Sequence, residues 1–188
     1  FKHIYIVIGK DDALFKTYYG SKKSANLFHG LTISYAYQLI PEDRIKPFGT
    51  ADAVCQSLEQ YPELQENQFV VCNCDNLYSE KAFDLLRTNK KPNAFINYDR
   101  DALKYSQERI KKFALTKVDR YNYLQDIIEK PTTTETEKYK DKDGKFRVSM
   151  NIFKFDGIVF YPFLKSCTIH PLRNEKEFEL IRKNIKVN

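Results

Sequence analysis

Gln68-Phe69-Val70-Val71-Cys72-Asn73-Cys74-Asp75-Asn76 is an apolar run that passes directly into a polar turn. A short, continuous apolar run of this kind reads as a strand buried on both faces of a sheet. The turn then leaves the Asp75 carboxylate at the strand's carboxyl end. Upstream, Thr50 to Tyr61 has helical periodicity, with Val54, Leu58 and Tyr61 on one face and Thr50 as the N-cap. Downstream, Ser79 caps a second helix whose apolar positions are Ala82, Phe83, Leu85 and Leu86. Pro92-Asn93 breaks the chain before a strand at Ala94 to Tyr98. Further out, His3-Ile4-Tyr5-Ile6-Val7-Ile8-Gly9 is another apolar run closed by a glycine, and Ala13 to Tyr19 reads as a helix with Asp11 or Asp12 as its cap. Leu31 to Ile40 mixes polar and apolar residues and is assigned no element. Strand, helix, strand, helix, strand predicts an α/β sandwich with a largely parallel sheet. Ligands of such sheets bind outside the carboxyl ends of the strands.

The second half changes character. Phe113 to Val118 and Tyr123 to Glu129 read as antiparallel strands around a turn at Asp119-Arg120. Thr132 to Phe146 is polar and charged, and Asp143-Gly144 marks a hairpin turn within it. Val148 to Phe155 reads as a further strand, Gly157 to Lys165 as a short helix and Glu175 to Ile185 as a final one.

The 188 residues suffice for one domain with a sizeable core. No run is long enough to span a bilayer, and Phe1 to Ile8 is too short for a signal peptide. The net charge of +6 comes from scattered lysines, without the basic block of a nucleic-acid tail, so nucleic acid and membrane are not expected partners. Cys72 and Cys74, one residue apart, suit neither a zinc knuckle nor a redox CxxC pair. With Cys55 and Cys167 they are expected to be buried free thiols of a reducing cytoplasm. His3, His29 and His170 form no ligand pattern.

Four segments could carry chemistry. Gly49-Thr50-Ala51 stands at a loop-to-helix junction, where a glycine lets a flat ligand approach the backbone and first-turn amides can donate to it. Asp75 could hold Mg²⁺ bridging triphosphate oxygens. Glu129-Lys130-Pro131 ends a strand, its carboxylate suited to sugar hydroxyls and its ammonium to a phosphate. Ser149-Met150-Asn151 places a hydroxyl within a strand. Taken singly, these are an ordinary capped helix, a turn aspartate, a strand end and a core strand.

Taken together, Gly49-Thr50-Ala51-Asp52-Ala53-Val54, Cys72-Asn73-Cys74-Asp75-Asn76, Glu129-Lys130-Pro131 and Ser149-Met150-Asn151-Ile152-Phe153 resemble, in order and rough spacing, the sugar-1-phosphate nucleotidyltransferase family. The resemblance implies a three-layer α/β sandwich with a mainly parallel, Rossmann-like mixed sheet of the nucleotide-diphospho-sugar transferase type. It implies Mg²⁺-dependent joining of a nucleoside triphosphate to a sugar 1-phosphate with release of pyrophosphate. Asp75 and Lys130 would be catalytic, with Asp75 the metal ligand. Gly49, Thr50 and Asn76 would bind the nucleotide, and Glu129, Lys130 and Ser149 the sugar phosphate. Cys74 and Asn151 stand where the family has glycine. Asparagine tolerates the left-handed backbone that such a position can require.

The family's glycine-rich loop with Arg and Lys, and its Asp-x-Gly segment near the other end, are not visible. Residues 1–188 are therefore expected to be a single nucleotidyltransferase catalytic domain without its N-terminal glycine-rich segment and its C-terminal end. Phe1 in place of Met agrees with that expectation. Lacking a triphosphate cradle and a central strand, these residues alone are expected to be catalytically silent, with exposed sheet edges that favour self-association. A homo-oligomer stays open. A non-catalytic nucleotide-sugar-binding or interaction module on the same fold is the alternative function.

Overall fold

The two continuous apolar runs are strands, at the bounds the sequence indicates. The computed structural model describes residues 1–10, 13–20, 27–111, 113–129, 136–171 and 174–178. Along the chain come β1 (His3–Ile8), α1 (Ala13–Tyr19), β2 (Leu27–Phe28), β3 (Leu31–Tyr37), α2 (Thr50–Gln60), β4 (Gln68–Cys72) and α3 (Glu80–Thr88). They are followed by β5 (Ala94–Asp99), α4 (Gln107–Ile110), β6 (Ala114–Val118), β7 (Leu124–Ile128), β8 (Arg147–Asp156) and α5 (Gly157–Lys165). The mixed stretch after Gly30 resolves into β3. Of the expected final helix, Phe178 is helical and residues 179–185 lie outside the described residues, as do Asp11 and Asp12.

The strands form a three-stranded sheet in the order β1-β3-β2 and a five-stranded sheet built around β8. β1 and β3 pair in parallel, His3 opposite Thr32 through Ile8 opposite Tyr37. In the larger sheet every ladder is antiparallel, because β8 lies between strands that the sequence pattern alone would set side by side. β4 and β5 both run opposite to β8, hence in the same direction as each other, and their carboxyl ends share one edge. The sheet is thus mixed, with the parallel sense kept in direction and lost from direct pairing.

Alternation sorts the side chains into layers. Phe69, Val71, Phe95, Phe153 and Phe155 face α2 and α5, where Phe155 stacks on Phe160 at 3.6 Å between ring centroids. Tyr5 of β1 joins this cluster, so α2 covers both sheets from one side. Val70, Ile96 and Ile152 face α3 with Ala82 and Leu86, and Ile6, Ile8, Ile33 and Tyr35 face α1. The result is the helix–sheet–helix sandwich expected.

Local chemistry sets the element ends. Ser79 caps α3 by accepting from Ala82 N at 3.2 Å. At α2 the expected cap is corrected. Gly49 is the N-cap, with no side-chain capping bond, and Thr50 is the first helical residue. Residues 140–146 of the polar stretch close as a hairpin with Lys140 bridged to Phe146, as the Asp143-Gly144 turn suggests, and residues 132–135 lie outside the described residues. Asp99 caps a single turn by accepting from Asp101 N and pairs with Lys145 at 2.6 Å, which holds its carboxyl below the ordinary range.

Two burial expectations are also corrected. β1 and β4 are largely half-buried or exposed, whereas β8 is buried along most of its length. Each has a neighbour on one edge only among the described residues, β3 for β1 and β8 for β4. For the same reason Cys72, which ends β4, and Cys74 beyond it are exposed rather than buried.

Candidate active site

β4 and β6 lie end to end along one edge of β8. β4 pairs with β8 as far as Cys72 opposite Ile152, and β6 begins with Ala114 opposite Ser149. β5 runs along the other edge, where Phe95 faces Phe153 but Asn97 faces Ser149. Two steps on β5 therefore match four on β8, and the surplus is a bulge at Met150-Asn151. Asn151 has φ 56°, the left-handed conformation that asparagine accepts more readily than most residues. The residue that stands in for the family's glycine thus supplies the backbone the bulge needs.

The bulge frees the Met150 carbonyl from the ladder, and the loop after β4 satisfies it. Tyr78 donates its hydroxyl to Met150 O at 2.7 Å, and Asn76 Nδ2 donates to the same oxygen at 3.3 Å. Asn73 N and Asn76 Nδ2 each donate to the Tyr78 oxygen at 3.2 Å. Burial pushes the Tyr78 phenol up to about 12, against the pull of those two N–H groups. Two of the four segments singled out in the sequence are therefore fastened together by a Tyr78–Asn76 knot. Asp75 sits in this loop, exposed, and its carboxylate has no ion pair or hydrogen bond with a described residue. Cys74 keeps an ordinary backbone angle, so its replacement of glycine costs no strain.

Register links a third segment. Ile128 pairs with Leu115, and Ala114 pairs with Ser149. Ala114, Ser149 and Asn97 thus form one cross-strand row on one face, and Glu129 follows one residue beyond the last paired position of β7. The same register, continued one step beyond the paired residues, would set Glu129 beside Ala114 on the side opposite Ser149. Glu129 and Ser149 would then be two strand spacings apart, ~10 Å. Ser149 is buried, and its Oγ accepts from Asn151 N at 3.1 Å, so it also steadies the bulge. Thr116, buried on the same face, donates to Asn97 Oδ1 at 2.6 Å. Lys130 lies outside the described residues.

Gly49 and Thr50 form a separate group. They line a cavity of about 440 Å³ with Val7 at the end of β1, Gln38, Lys46 and Glu175. Gly49 has φ 97°, and a Cβ there would lie 2.9 Å from Lys176 O and 3.2 Å from Glu175 Cβ. The close approach that this glycine permits is made, on that side, by the chain's own segment 175–177. Ala51 N donates to Lys176 O at 3.1 Å, so one first-turn amide is already taken. Asp52, buried beneath, accepts from Gln38 at 3.1 Å and Gln56 at 2.7 Å and lies 3.7 Å from the Lys176 ammonium. These contacts fix the junction that carries Gly49 and Thr50.

Sequence reasoning missed Tyr78, Asn97, Thr116 and Arg109. Asn97 and Thr116 could have been noticed only as polar residues in strands that also hold Asp99 and Lys117. Arg109, which donates to the Asp75 carbonyl and the Asn76 side chain, carried no signal. The donor set suits Mg²⁺ of one kind. Among the described residues no three acidic, His or Cys side chains cluster as a metal cage. An exposed, unpaired carboxylate fits a Mg²⁺ that shares its remaining positions with phosphate oxygens and water.

The sequence pattern of the nucleotidyl transferase family matches residues 1–185. The glucose-1-phosphate adenylyltransferase of Koribacter versatilis (strain Ellin345) is 28% identical over 116 residues, 62% of this chain and 27% of that protein. The chain thus matches little more than a quarter of that relative's length. A crystal structure assigned as a glucose-1-phosphate thymidylyltransferase from Bacillus anthracis, in complex with a sucrose, superposes with a TM-score of 0.60 at 18% identity, covering 98% of this chain and 66% of that one. HddC from Yersinia pseudotuberculosis superposes with a TM-score of 0.58 at 13% identity, covering 99% and 67%. At such identities the structural likeness speaks for the fold. The profile match over nearly the whole chain, with the sandwich shared with the solved structures, leads to one conclusion: the chain belongs to the nucleotidyl transferase family.

Proposed function

We propose that this chain forms the sugar-phosphate side and part of the nucleotide side of a site that joins a nucleoside triphosphate to a sugar 1-phosphate. An oxygen of the sugar phosphate attacks the α-phosphorus in line. The new P–O bond forms as the bond to the β-phosphate breaks, and pyrophosphate leaves. Such transfers depend on positioning and charge neutralisation more than on covalent help from the protein.

Asp75 would hold Mg²⁺, which when bound neutralises phosphate charge at the reacting centre. Glu129 would accept from sugar hydroxyls, with Ser149 across Ala114 shaping the other side of the sugar. Lys130, the next residue, would meet the sugar phosphate. Gly49 and Thr50 would border the base, in the cavity beside the end of β1. Asn76, its amide spent on Met150 O, Tyr78 and Arg109, would serve the nucleotide by fixing the Asp75 turn.

The observation that carries this reading is the Asp75 loop tied to the bulge beside Ser149, which pairs with Ala114, with Glu129 following directly on β7. Its test is Asp75→Asn in the intact protein, assayed for Mg²⁺-dependent pyrophosphate release over a panel of nucleoside triphosphates and sugar 1-phosphates. The substitution keeps shape and removes charge, so turnover should vanish with the circular dichroism spectrum unchanged. Turnover within about threefold of the parent, ~0.7 kcal/mol in the barrier, would refute the assignment of Asp75.

A further inference from the structure

Arg109 is exposed, yet its side chain is held at one face by a ring and at its tip by hydrogen bonds. It stands in the single turn α4, whose place is set by Ile110, 3% exposed, and by Arg109 N and Ile110 N donating to Ser106 O. Its side chain reaches back to the loop after β4. There Nη2 donates to Asp75 O at 3.2 Å and to Asn76 Oδ1 at 3.3 Å. The guanidinium lies over the Tyr105 ring, 4.7 Å from its centroid, and Tyr105 packs in turn on Phe113. Arg87 and Arg147 are spent on Asp84 and on Asp141 and Asp99. Arg109 has no carboxylate partner among the described residues.

Two of its three nitrogens, Nε and Nη1, have no hydrogen bond to a described residue, on a fork set by an aromatic platform. Arg109 bonds the carbonyl of Asp75 and leaves the carboxylate alone. A carboxylate suited to a divalent cation and a guanidinium thus share one turn without pairing. Two such positive centres repel unless anionic oxygens lie between them. A phosphate group supplies those oxygens, and arginine's planar donors match it.

We propose that Arg109 binds a phosphate group of the nucleotide or its pyrophosphate product beside Asp75, in addition to holding the Asp75-Asn76 turn. This rests on the reading of Asp75 as the metal-bearing carboxylate. The probes are inorganic pyrophosphate with Mg²⁺, titrated by calorimetry, and Mn²⁺ alone, followed by electron paramagnetic resonance, on the wild-type chain and its Arg109→Met, Arg109→Lys and Asp75→Asn variants. A charge-assisted hydrogen bond is worth ~1.5–3 kcal/mol, so Arg109→Met should weaken pyrophosphate by ~10-fold or more. Arg109→Lys should recover part of that loss, and Mn²⁺ affinity should stay within about twofold in both, since the carboxylate is intact.

Equal weakening of Mn²⁺ and pyrophosphate without rescue by lysine would reduce Arg109 to a turn support and overturn the proposal. Failure of the wild-type chain to bind Mg²⁺-pyrophosphate would overturn it too. If Asp75→Asn abolishes Mn²⁺ binding while Arg109→Met leaves pyrophosphate untouched, the Asp75 reading stands and this proposal falls. If Asp75→Asn keeps Mn²⁺ while Arg109→Met loses pyrophosphate, the phosphate contact stands and the Asp75 reading falls.

Discussion

Asn151 and Tyr78 make one irregularity of β8 tolerable, and each can be tested alone. Asn151 at φ 56° carries the left-handed backbone of the bulge. A β-branched residue is poorly suited there, so Asn151→Val should lower unfolding stability by at least ~1–2 kcal/mol in urea titrations, whereas Asn151→Gly should stay within ~1 kcal/mol of the parent. Equal losses would mean that the bulge does not depend on that angle. Tyr78 gives a pH signature. Its folded-state phenol is raised to about 12 from an ordinary value of 10.0, so the protonated form is favoured by folding. That contribution is complete below pH 10 and is lost as pH rises towards 12. Tyr78→Phe should be less stable at neutral pH, having lost the bond to Met150 O, and its stability should fall less steeply than the parent's between those two values. Parallel pH curves would refute the role of the hydroxyl. The left-handed tolerance of Asn151 was legible in the sequence, because the resemblance set it against a glycine. The role of Tyr78 was not legible. Its partner is a carbonyl seventy-two residues away, set free by a bulge that no local pattern announces.

At the scale of elements, periodicity and caps did most of the work. β4, α1 and α5 have the bounds read from the sequence, and Ser79 caps α3 as its position implied. Ser79→Ala should cost ~1 kcal/mol, seen as a lower denaturation midpoint with an unchanged slope. The misreading at α2 has a tertiary cause. Segment 175–177 supplies the backbone acceptor for Ala51 N, so Thr50 need not cap and Gly49 takes the terminal position. Gly49 has φ 97° and ψ −173°, a region that only glycine occupies freely, and Lys176 O stands against it. Gly49→Ala should therefore cost at least ~1–3 kcal/mol, and it should loosen the 175–177 segment. Hydrogen exchange at Ala51 N and Lys176 N reads the loosening. Unchanged protection at both amides would show that the two segments are held independently.

At the scale of the whole molecule, the sandwich followed from the order of strands and helices, and the burial of the strands did not. An apolar run reads as buried on both faces only if neighbours occupy both edges. β1 and β4 each have one neighbour among the described residues, which leaves Ile4 and Val7 40% exposed. These open edges should make the isolated chain self-associate, so its sedimentation coefficient should rise with concentration. A concentration-independent monomer would show that the edges are protected. The antiparallel insertion of β8 was equally out of reach of local pattern, yet it creates the row on which the proposed sugar-phosphate site depends. The most direct measurement of that site is the amide spectrum of the ¹⁵N-labelled chain with Mn²⁺ and a nucleotide sugar, repeated on Asp75→Asn. Paramagnetic broadening should centre on Asp75 and Asn76, extend to Ser149, Asn151 and Glu129, and vanish in the variant. Broadening that leaves the Asp75 turn and the Ser149 bulge sharp, or that survives Asp75→Asn unchanged, would contradict the assignment.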